Sequence, residues 1–430
     1  MNILLVIDEM WNDQMHPNNV LSNWFTGMDV ELAAICCNPG VPKNHCCYQY
    51  FQITDAMMVK SLVGKRAGRA FSVTEDQMYG EQGLTSAEKV PERFYAFMKS
   101  ITNNMVYVIR DCIWLLGRYD EKLLKRFVED FSPDIVYCPR MFTPKMCRLE
   151  NKVRKYTDAP FVAFVADDEV SLKQYNWSPI FWMRRILNLQ RFKKHVKLYK
   201  HYYTFSKDQC EAYEAQYGVP SSTLYKCGDF SNEVKKQDVG QPIRLVYAGS
   251  LYCKRWETLV ALGRALNNIN KLGTKMELDV YTRTILTKNA QKELEKCPYI
   301  NMKGAVAPEQ LVDIYKNADI ALHVESFDKK FKYVTRWSFS TKIIDLLGSS
   351  CAIMAICWDQ HTGFKYLKEN DAAFCVSDYS KIESELDRIV KNPNIIKQYA
   401  HKAWICGEKN HLRKNIQNQI IKEFQTIIAS

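Results

Sequence analysis

Lys342 and Asp345 stand three residues apart within Arg336–Ala355, RWSFSTKIIDLLGSSCAIMA. At helical spacing they share a face. Ser338, Ser340 and Thr341 just before them mark a helix start, where free backbone N–H groups and the helix dipole favour an anion. A phosphate can sit there with Lys342 beside it, while Asp345, one turn further in, is placed to accept hydrogen bonds from sugar hydroxyls. Taken alone, the segment reads as an N-capped surface helix with an i,i+3 ion pair, and it is the rest of the chain that turns the reading toward a nucleotide clamp. A second cationic helix start lies in Ile243–Leu259, IRLVYAGSLYCKRWETL: a strand, a turn at Gly249, then Lys254 and Arg255. Strand–turn–helix junctions bind phosphate through N–H groups. The single glycine matches neither a dinucleotide fingerprint nor a P-loop. Alone, the junction reads as a solvated basic helix start; together with Lys342 in the same domain it reads as a two-cation diphosphate clamp. A third candidate is Asp167 and Asp168, which end the apolar run PFVAFVADDE. Carboxylates at the carboxyl end of a strand can orient an acceptor or take its proton, with a plain helix N-cap as the alternative. A magnesium-binding D-x-D needs an intervening residue, so this pair is read as metal-free.

The elements that must position these residues are legible in the alternation of short apolar runs and longer helical patterns. Strands are expected at Asn2–Ile7, Val30–Cys36, Tyr48–Ile53, Ile135–Cys138, Phe161–Ala166 and Tyr202–Ser206, then at Arg244–Tyr247, Glu277–Tyr281, Ile300–Met302, Ile320–Val324, Ala352–Ala355 and Ala373–Val376. Helices are expected at Val20–Phe25, Ala87–Leu116, Glu121–Phe131 and Lys207–Tyr217, then at Trp256–Leu272, Thr287–Lys296, Pro308–Asn317, Thr341–Leu347 and Lys381–Asn392. Such alternation builds parallel, doubly wound sheets with right-handed crossovers. At 430 residues the chain exceeds what one core fills. The polar stretch Gly228–Pro242 has almost no core-forming residues and is read as a linker. It separates a first domain, 1–227, from a second, 243–406, with terminal helices over 407–430 free to return to the first. Two Rossmann-like α/β domains then face a central cleft at the carboxyl ends of their strands.

Composition narrows the partners. A hydrophobic fraction of 47% with 12% aromatics excludes a disordered chain. The net charge of +11, from 59 basic and 48 acidic residues, favours an anionic partner. The 15 cysteines are scattered as small apolar residues of a reducing compartment. The doublets Cys36/Cys37 and Cys46/Cys47 lack the spacing of structural zinc sites, so no metal or cofactor is expected. NILLVI, Asn2–Ile7, is too short for a signal peptide and is closed by Asp8 and Glu9. No apolar stretch is long enough to cross a bilayer.

Three segments in order, LVYAGSLYCKRWETL, INMKGAVAPEQLVDIYKNADIALHVES and SFSTKIIDLLGSSCAIMA, resemble the nucleotide-sugar-binding domain of family 4 (group 1) glycosyltransferases with the GT-B fold, in the form associated with bacterial polysaccharide assembly. The resemblance implies that Gly249, Ser250 and Arg255 meet the donor diphosphate. It places Ser340, Thr341 and Lys342 in the polar turn before the ribose-binding acid, matched by Asp345. It sets Gly304, Ala305 and Val306 in the loop passing the base. The chain departs from the pattern where Ser250 replaces an arginine and Trp337 the first of two glutamates. The first half resembles the family less closely: its opening, NILLVIDEMWNDQMHPNNVLSNWF, lacks the usual glycines, and Asp8, His16, Asn18 and Asn19 would face the acceptor. Pro139 and Arg140 stand where a catalytic-site histidine is frequent. The resemblance further implies a metal-independent, retaining transfer from a nucleotide diphosphate sugar to a hydroxyl in a closed cleft. The expected acceptor is a lipid-linked oligosaccharide or other carbohydrate of a surface polysaccharide. Two alternatives stay open: a nucleotide-sugar epimerase of the same fold, and a non-catalytic scaffold of an assembly complex.

Between Glu169 and Asp208 there is no acidic side chain, and the window holds Phe181, Trp182, Ile186, Leu189 and Phe192 among Arg184, Arg185, Arg191, Lys193, Lys194, Lys197 and Lys200. A basic helix carrying aromatics lies on anionic membranes, or packs as a core helix with a basic solvent face. Residues 182–200 are therefore expected to dock a peripheral, cytoplasmic protein on the inner face of the plasma membrane. Nucleic acid is not expected, because no recognised binding module accompanies the patch.

Overall fold

The computed structural model describes residues 1–14, 20–79, 103–139, 142–233 and 235–430. The chain divides into two compact units, Met1–Leu224 with Gln417–Ser430, and Tyr225–Ile416. Each is built on a sheet that reverses its strand order at its first strand.

In the first unit the strands are β1 (Asn2–Ile7), β2 (Glu31–Cys36), β3 (Gln49–Gln52), β4 (Arg69–Ser72), β5 (Ile135–Pro139), β6 (Phe161–Val165), β7 (Tyr199–Thr204) and β8 (Ser221–Thr223). Their order is β4-β3-β2-β1-β5-β6-β7-β8, parallel throughout except for the β3–β4 pair. The second unit holds β9 (Ile243–Ala248), β10 (Met276–Tyr281), β11 (Ile300–Gly304), β12 (Ile320–Val324), β13 (Ala352–Ile356) and β14 (Phe374–Val376). Its order, β11-β10-β9-β12-β13-β14, is wholly parallel.

The sequence dictates this arrangement through burial. β6, β12 and β13 are apolar or small at almost every position and buried along their whole length, as central strands covered on both faces must be. The intervening helices start where side chains can satisfy their free N–H groups. Thr143 accepts from Met146 N before the helix Pro144–Val153, which opens on proline. Ser206 accepts from Gln209 N before Lys207–Tyr217, and Gly218 ends that helix in the left-handed region, as caps of these types do.

The observed elements refine the expected ones. β7 begins at Tyr199 rather than Tyr202, because the YKHYY run supplies strand-forming aromatics ahead of the expected start. β4 and β8 were not foreseen: both are short, polar edge strands without a marked apolar pattern. Of the expected helix Ala87–Leu116, residues 87–102 lie outside the described residues, and Asn103–Leu116 is helical. Gly228–Pro242 lies within the second unit instead of running free. Gly228 N donates to His411 O, Lys236 Nζ pairs with Asp319 at 2.9 Å, and Gly240 N donates to the same carboxylate. Two helices close the chain, Asn394–His411 and Arg413–Ile428. Within the first unit, Gln417 Nε2 donates to the carbonyls of Trp24 and Thr26, and the Phe424 ring packs on Tyr137 and Tyr203.

Candidate functional site

A doubly wound sheet opens a crevice where neighbouring strands send their crossovers to opposite faces, beyond their carboxyl ends. In the second unit that place is between β9 and β12. β9 ends at Ala248 and turns at Gly249. The chain then passes through Cys253 and Lys254, both left-handed at φ 57° and 60°. That conformation costs a non-glycine residue roughly 1–2 kcal/mol and is tolerated where surrounding structure enforces it. The helix Arg255–Ile269 follows, and no side chain caps its N-terminus.

Three charged side chains converge here. Lys342, first residue of the helix Lys342–Leu347, donates from Nζ to Ala248 O at 3.1 Å. A Cβ placed on Gly249 would lie 3.0 Å from that Nζ and 2.8 Å from the Tyr247 hydroxyl, so only glycine leaves the lysine its place over the turn. Arg255 donates from Nε and Nη2 to the two oxygens of Glu325 at 3.0 and 2.7 Å. Glu325 follows β12 directly, and its carboxylate is 4% exposed. Burial, and then the Arg255 guanidinium, hold the Lys342 ammonium below the usual lysine range. Burial acts to lower Arg255 too, but Glu325 outweighs it and the net shift is upward. Beyond Glu325 lie two imidazoles, His323 and His361, each pushed down to about 3 chiefly by burial.

The clamp read from the sequence is thus changed in detail. Arg255 is not a bare phosphate cation: its fork is taken by Glu325, and the pair is neutral. Lys342, bonded to a carbonyl, carries the charge that an anion would meet. Asp345 accepts from Lys226 Nζ at 2.8 Å and stays half exposed. The remaining donor-side residues are held by backbone bonds. Ser250 O accepts from the Tyr247 hydroxyl, and Ser250 Oγ accepts from Tyr252 N. The carbonyls of Ser340 and Thr341 accept from Ile343 N and Ile344 N. Gly304 adopts φ 78° at the end of β11, with Ala305 exposed and Val306 half-buried. Sequence reasoning passed over Glu325 and Tyr247. The signal for Glu325 was present, an acid immediately after the buried run IALHV.

The first unit has its own switch point, between β1 and β5. Asp8, following β1, is ion-paired to Lys145 of the helix Pro144–Val153, whose side chain is 3% exposed and lies over the Trp114 ring. Beside them Arg110 pairs with Asp55 at 3.1 Å. His16, Asn18, Asn19 and Arg140 lie outside the described residues. Asp168 requires a correction: it is a loop anchor, not a base open to an acceptor. Its carboxylate accepts from Ser171 N, Ser171 Oγ and Gln174 Nε2, pairs with Arg185 at 3.2 Å and is fully buried. Asp167 is exposed, and its carbonyl accepts from Gln209 Nε2.

The basic window folds as the helix Pro179–His195, of which only Phe192 and His195 are buried. Arg184 and Arg185 are partly consumed within the unit, by Asp111 at 3.7 Å and by Asp168. Ile180, Met183, Ile186 and Leu187 are exposed, as are Leu172 and Trp177 in the preceding loop, the latter by 86%. Arg191, Lys193, Lys194 and Lys197 are exposed beside them. Among the described residues, no helix is long and apolar enough to cross a membrane.

No protein-family model matches the chain, and no curated protein does. Solved structures do. The sucrose-phosphate synthase of Thermosynechococcus elongatus aligns over 100% of this chain and 99% of its own, with a TM-score of 0.61 at 10% identity. The pneumococcal O-GlcNAc transferase GtfA, in complex with UDP and GlcNAc, aligns over 73% of this chain with a TM-score of 0.51 at 13% identity. TarM aligns over 73% of it with a TM-score of 0.53 at 10% identity. The chain spans about three fifths of the length of the last two, 61% and 59%. What it shares with these proteins is the GT-B fold of two Rossmann-like domains.

Proposed function

We propose that this chain, built on the GT-B fold, is a glycosyltransferase that moves a sugar from a nucleotide diphosphate sugar to a carbohydrate hydroxyl. The observation that carries the reading is the placement of Lys342 Nζ over the Gly249 turn, at the carboxyl end of β9 and beside an uncapped helix N-terminus. A diphosphate leaving group gathers negative charge as the sugar's C1–O bond breaks. A fixed ammonium and oriented N–H groups stabilise that charge most in the transition state. Arg255 acts with Glu325 attached: the carboxylate holds the guanidinium in one orientation and moderates its charge. Asp345, half exposed, exchanges Lys226 for ribose hydroxyls. Asp167 remains the acceptor-side carboxylate. Since cationic side chains and helix termini take the diphosphate, turnover requires no added divalent ion. Transfer with retention, and a lipid-linked oligosaccharide of a surface polysaccharide as acceptor, complete the proposal on the strength of the sequence resemblance.

The exposed apolar residues of 172–187 beside the cationic 191–200 suit the inner, anionic face of a membrane, with the apolar side chains entering the headgroup region and the lysines meeting phosphates. Sedimentation with anionic vesicles checks this. Binding should weaken at high salt as charges are screened, and Lys193→Gln with Lys194→Gln should reduce it. These two are better test positions than Arg184 and Arg185, which hold the fold. Wild-type protein indifferent to such vesicles would sink the docking.

Incubation of the protein with a panel of UDP- and GDP-sugars, with and without glycan acceptors, tests the activity itself. Sugar transfer that needs the acceptor and proceeds without magnesium or manganese is expected. Conversion of the nucleotide sugar with no acceptor would instead make the chain an epimerase, and failure to bind any nucleotide would make it a scaffold. Activity that appears only on adding magnesium or manganese would bring Asp167 forward as a metal ligand.

A further inference from the structure

Three buried side chains of the second unit meet without an evident reason in the fold. His323 is the fourth residue of β12, Cys357 follows β13, and His361 precedes the helix Thr362–Glu369. Their exposures are 5%, 0% and 1%. One donor atom from each lies within 4.8 Å of those of the other two. The parallel register sets His323 opposite Ala355 and Val324 opposite Ile356, which delivers Cys357 beyond the strand end next to His323. The five-residue turn CWDQH then returns His361 to the same spot.

Cys357 Sγ donates weakly to the His323 carbonyl at 3.8 Å and His361 Nδ1 accepts from Gly363 N, but three polar atoms there are unsatisfied. His323 Nε2 and His361 Nε2 are both buried without a hydrogen-bond partner, and so is the indole Nε1 of Trp358 in the same turn. Its ring centroid lies 6.4 Å from that of His361. Buried polar groups are ordinarily paired, so convergent orphans ask for something between them. The surrounding packing leaves the histidines little freedom: a Cβ on Gly363 would stand 3.1 Å from His323 Nε2.

We propose that His323, Cys357 and His361 form a metal site for a zinc-type divalent cation, with a water in the fourth position. Two imidazole nitrogens and one thiolate are a borderline-soft donor set that suits zinc better than magnesium or calcium. Tetrahedral ligation needs donor atoms roughly 3.5 Å apart, so the three side chains draw together slightly around the ion. The thiol gives up its proton on binding. Ligation through His361 Nε2 places that ring's proton on Nδ1 and releases the 3.2 Å bond from Gly363 N. With the weak bond from Cys357 Sγ to the His323 carbonyl at 3.8 Å, which goes with the thiol proton, that is a loss of two neutral hydrogen bonds against three coordinate bonds. Such an ion staples the turn 357–361 to β12, two residues before Glu325, and so fixes the carboxylate that orients Arg255. It takes no part in bond breaking. This inference stands on the cluster's geometry and does not depend on the proposed activity.

Metal analysis of the full-length protein, purified without chelator from zinc-supplemented cells, tests it. About one equivalent of zinc per chain is expected, falling below about a tenth in Cys357→Ala and unchanged in Cys351→Ala, a buried cysteine whose thiol bonds elsewhere to the Tyr315 carbonyl. Refolding with cobalt(II) should give the thiolate-to-metal charge-transfer absorption, absent from Cys357→Ala. His361→Gln provides a second variant should the first fail to fold, and it too should lose the zinc. Wild-type protein holding less than about a tenth of an equivalent and giving no cobalt band would overturn the site, leaving a pocket of buried water. Equal metal in wild type and both variants would overturn it as well.

Discussion

The two switch points of this molecule hold the same kinds of side chain in opposite arrangements. In the first unit Asp8 is matched by a buried lysine, Lys145, so acid and base close on each other. In the second, the carboxylate Glu325 is taken by Arg255, and a further cation, Lys342, rests on the carbonyl that ends β9. An anion therefore finds an uncancelled charge in the second crevice, whereas the first offers a neutral pair of which the acid is the more exposed member. On the proposed function, this difference is what lets one doubly wound architecture, used twice, divide donor from acceptor.

The largest expected effect breaks the comparison at its positive end. Lys342→Ala should lower turnover by roughly a hundredfold or more, as removal of a preorganised charge does, with little change in thermal stability. A variant retaining wild-type turnover would remove the clamp.

Next come the paired groups, where loss of one partner strands the other. Arg255→Ala leaves the Glu325 carboxylate buried and unpaired, and should destabilise the protein by about 3–5 kcal/mol, measured by urea unfolding. Converting both members, Arg255→Leu with Glu325→Leu, should return most of that stability and none of the activity. Lys145→Ala, the same cut in the first unit, should cost less, because the Asp8 side chain keeps 23% of its exposure and water can reach it. An equal loss in both units would erase the distinction drawn between them.

The smallest effect is on pH. Lys342 has a folded-state pKa below its unfolded value, so the unfolded chain holds this proton more tightly. The contribution to stability is unfavourable and complete below the folded pKa, and it is relieved as pH rises from there to the ordinary lysine value. Turnover behaves oppositely, since the ammonium is the working form: its alkaline limb should fall below the ordinary lysine range. In Lys342→Arg that limb should move up, because a guanidinium stays charged. A pH–rate profile identical in both proteins would deny Lys342 a role in charge stabilisation.

Much of this was open to reading in the chain. Buried runs such as IALHV and AIMAI announced parallel central strands, and a lysine or arginine at a helix start announced the two cations. The Arg255–Glu325 and Asp8–Lys145 pairs were not foreseeable, because each joins residues 70 or 137 apart and sequence spacing carries no sign of which carboxylate a cation will find. Asp168 misled for a related reason: a strand-end acid looks alike whether it faces a crevice or ties its own loop, and the outcome was decided by Ser171, Gln174 and Arg185. The His323–Cys357–His361 cluster escaped notice because His323 lies inside β12, 34 residues before the Cys357–His361 turn, and only the parallel register of β12 and β13 brings them together.

The most direct measurement of the central claim is thermal unfolding of wild type and Lys342→Met across a panel of nucleoside diphosphates. A ligand bound only by the folded state at a hundred times its Kd adds about 2.7 kcal/mol, several degrees in Tm for domains of this size. The account predicts such a rise with at least one diphosphate for the wild type, little with the matching monophosphate, and its disappearance in Lys342→Met. An equal rise in the variant, or none in the wild type with any nucleotide, would contradict a donor site at the β9–β12 switch point.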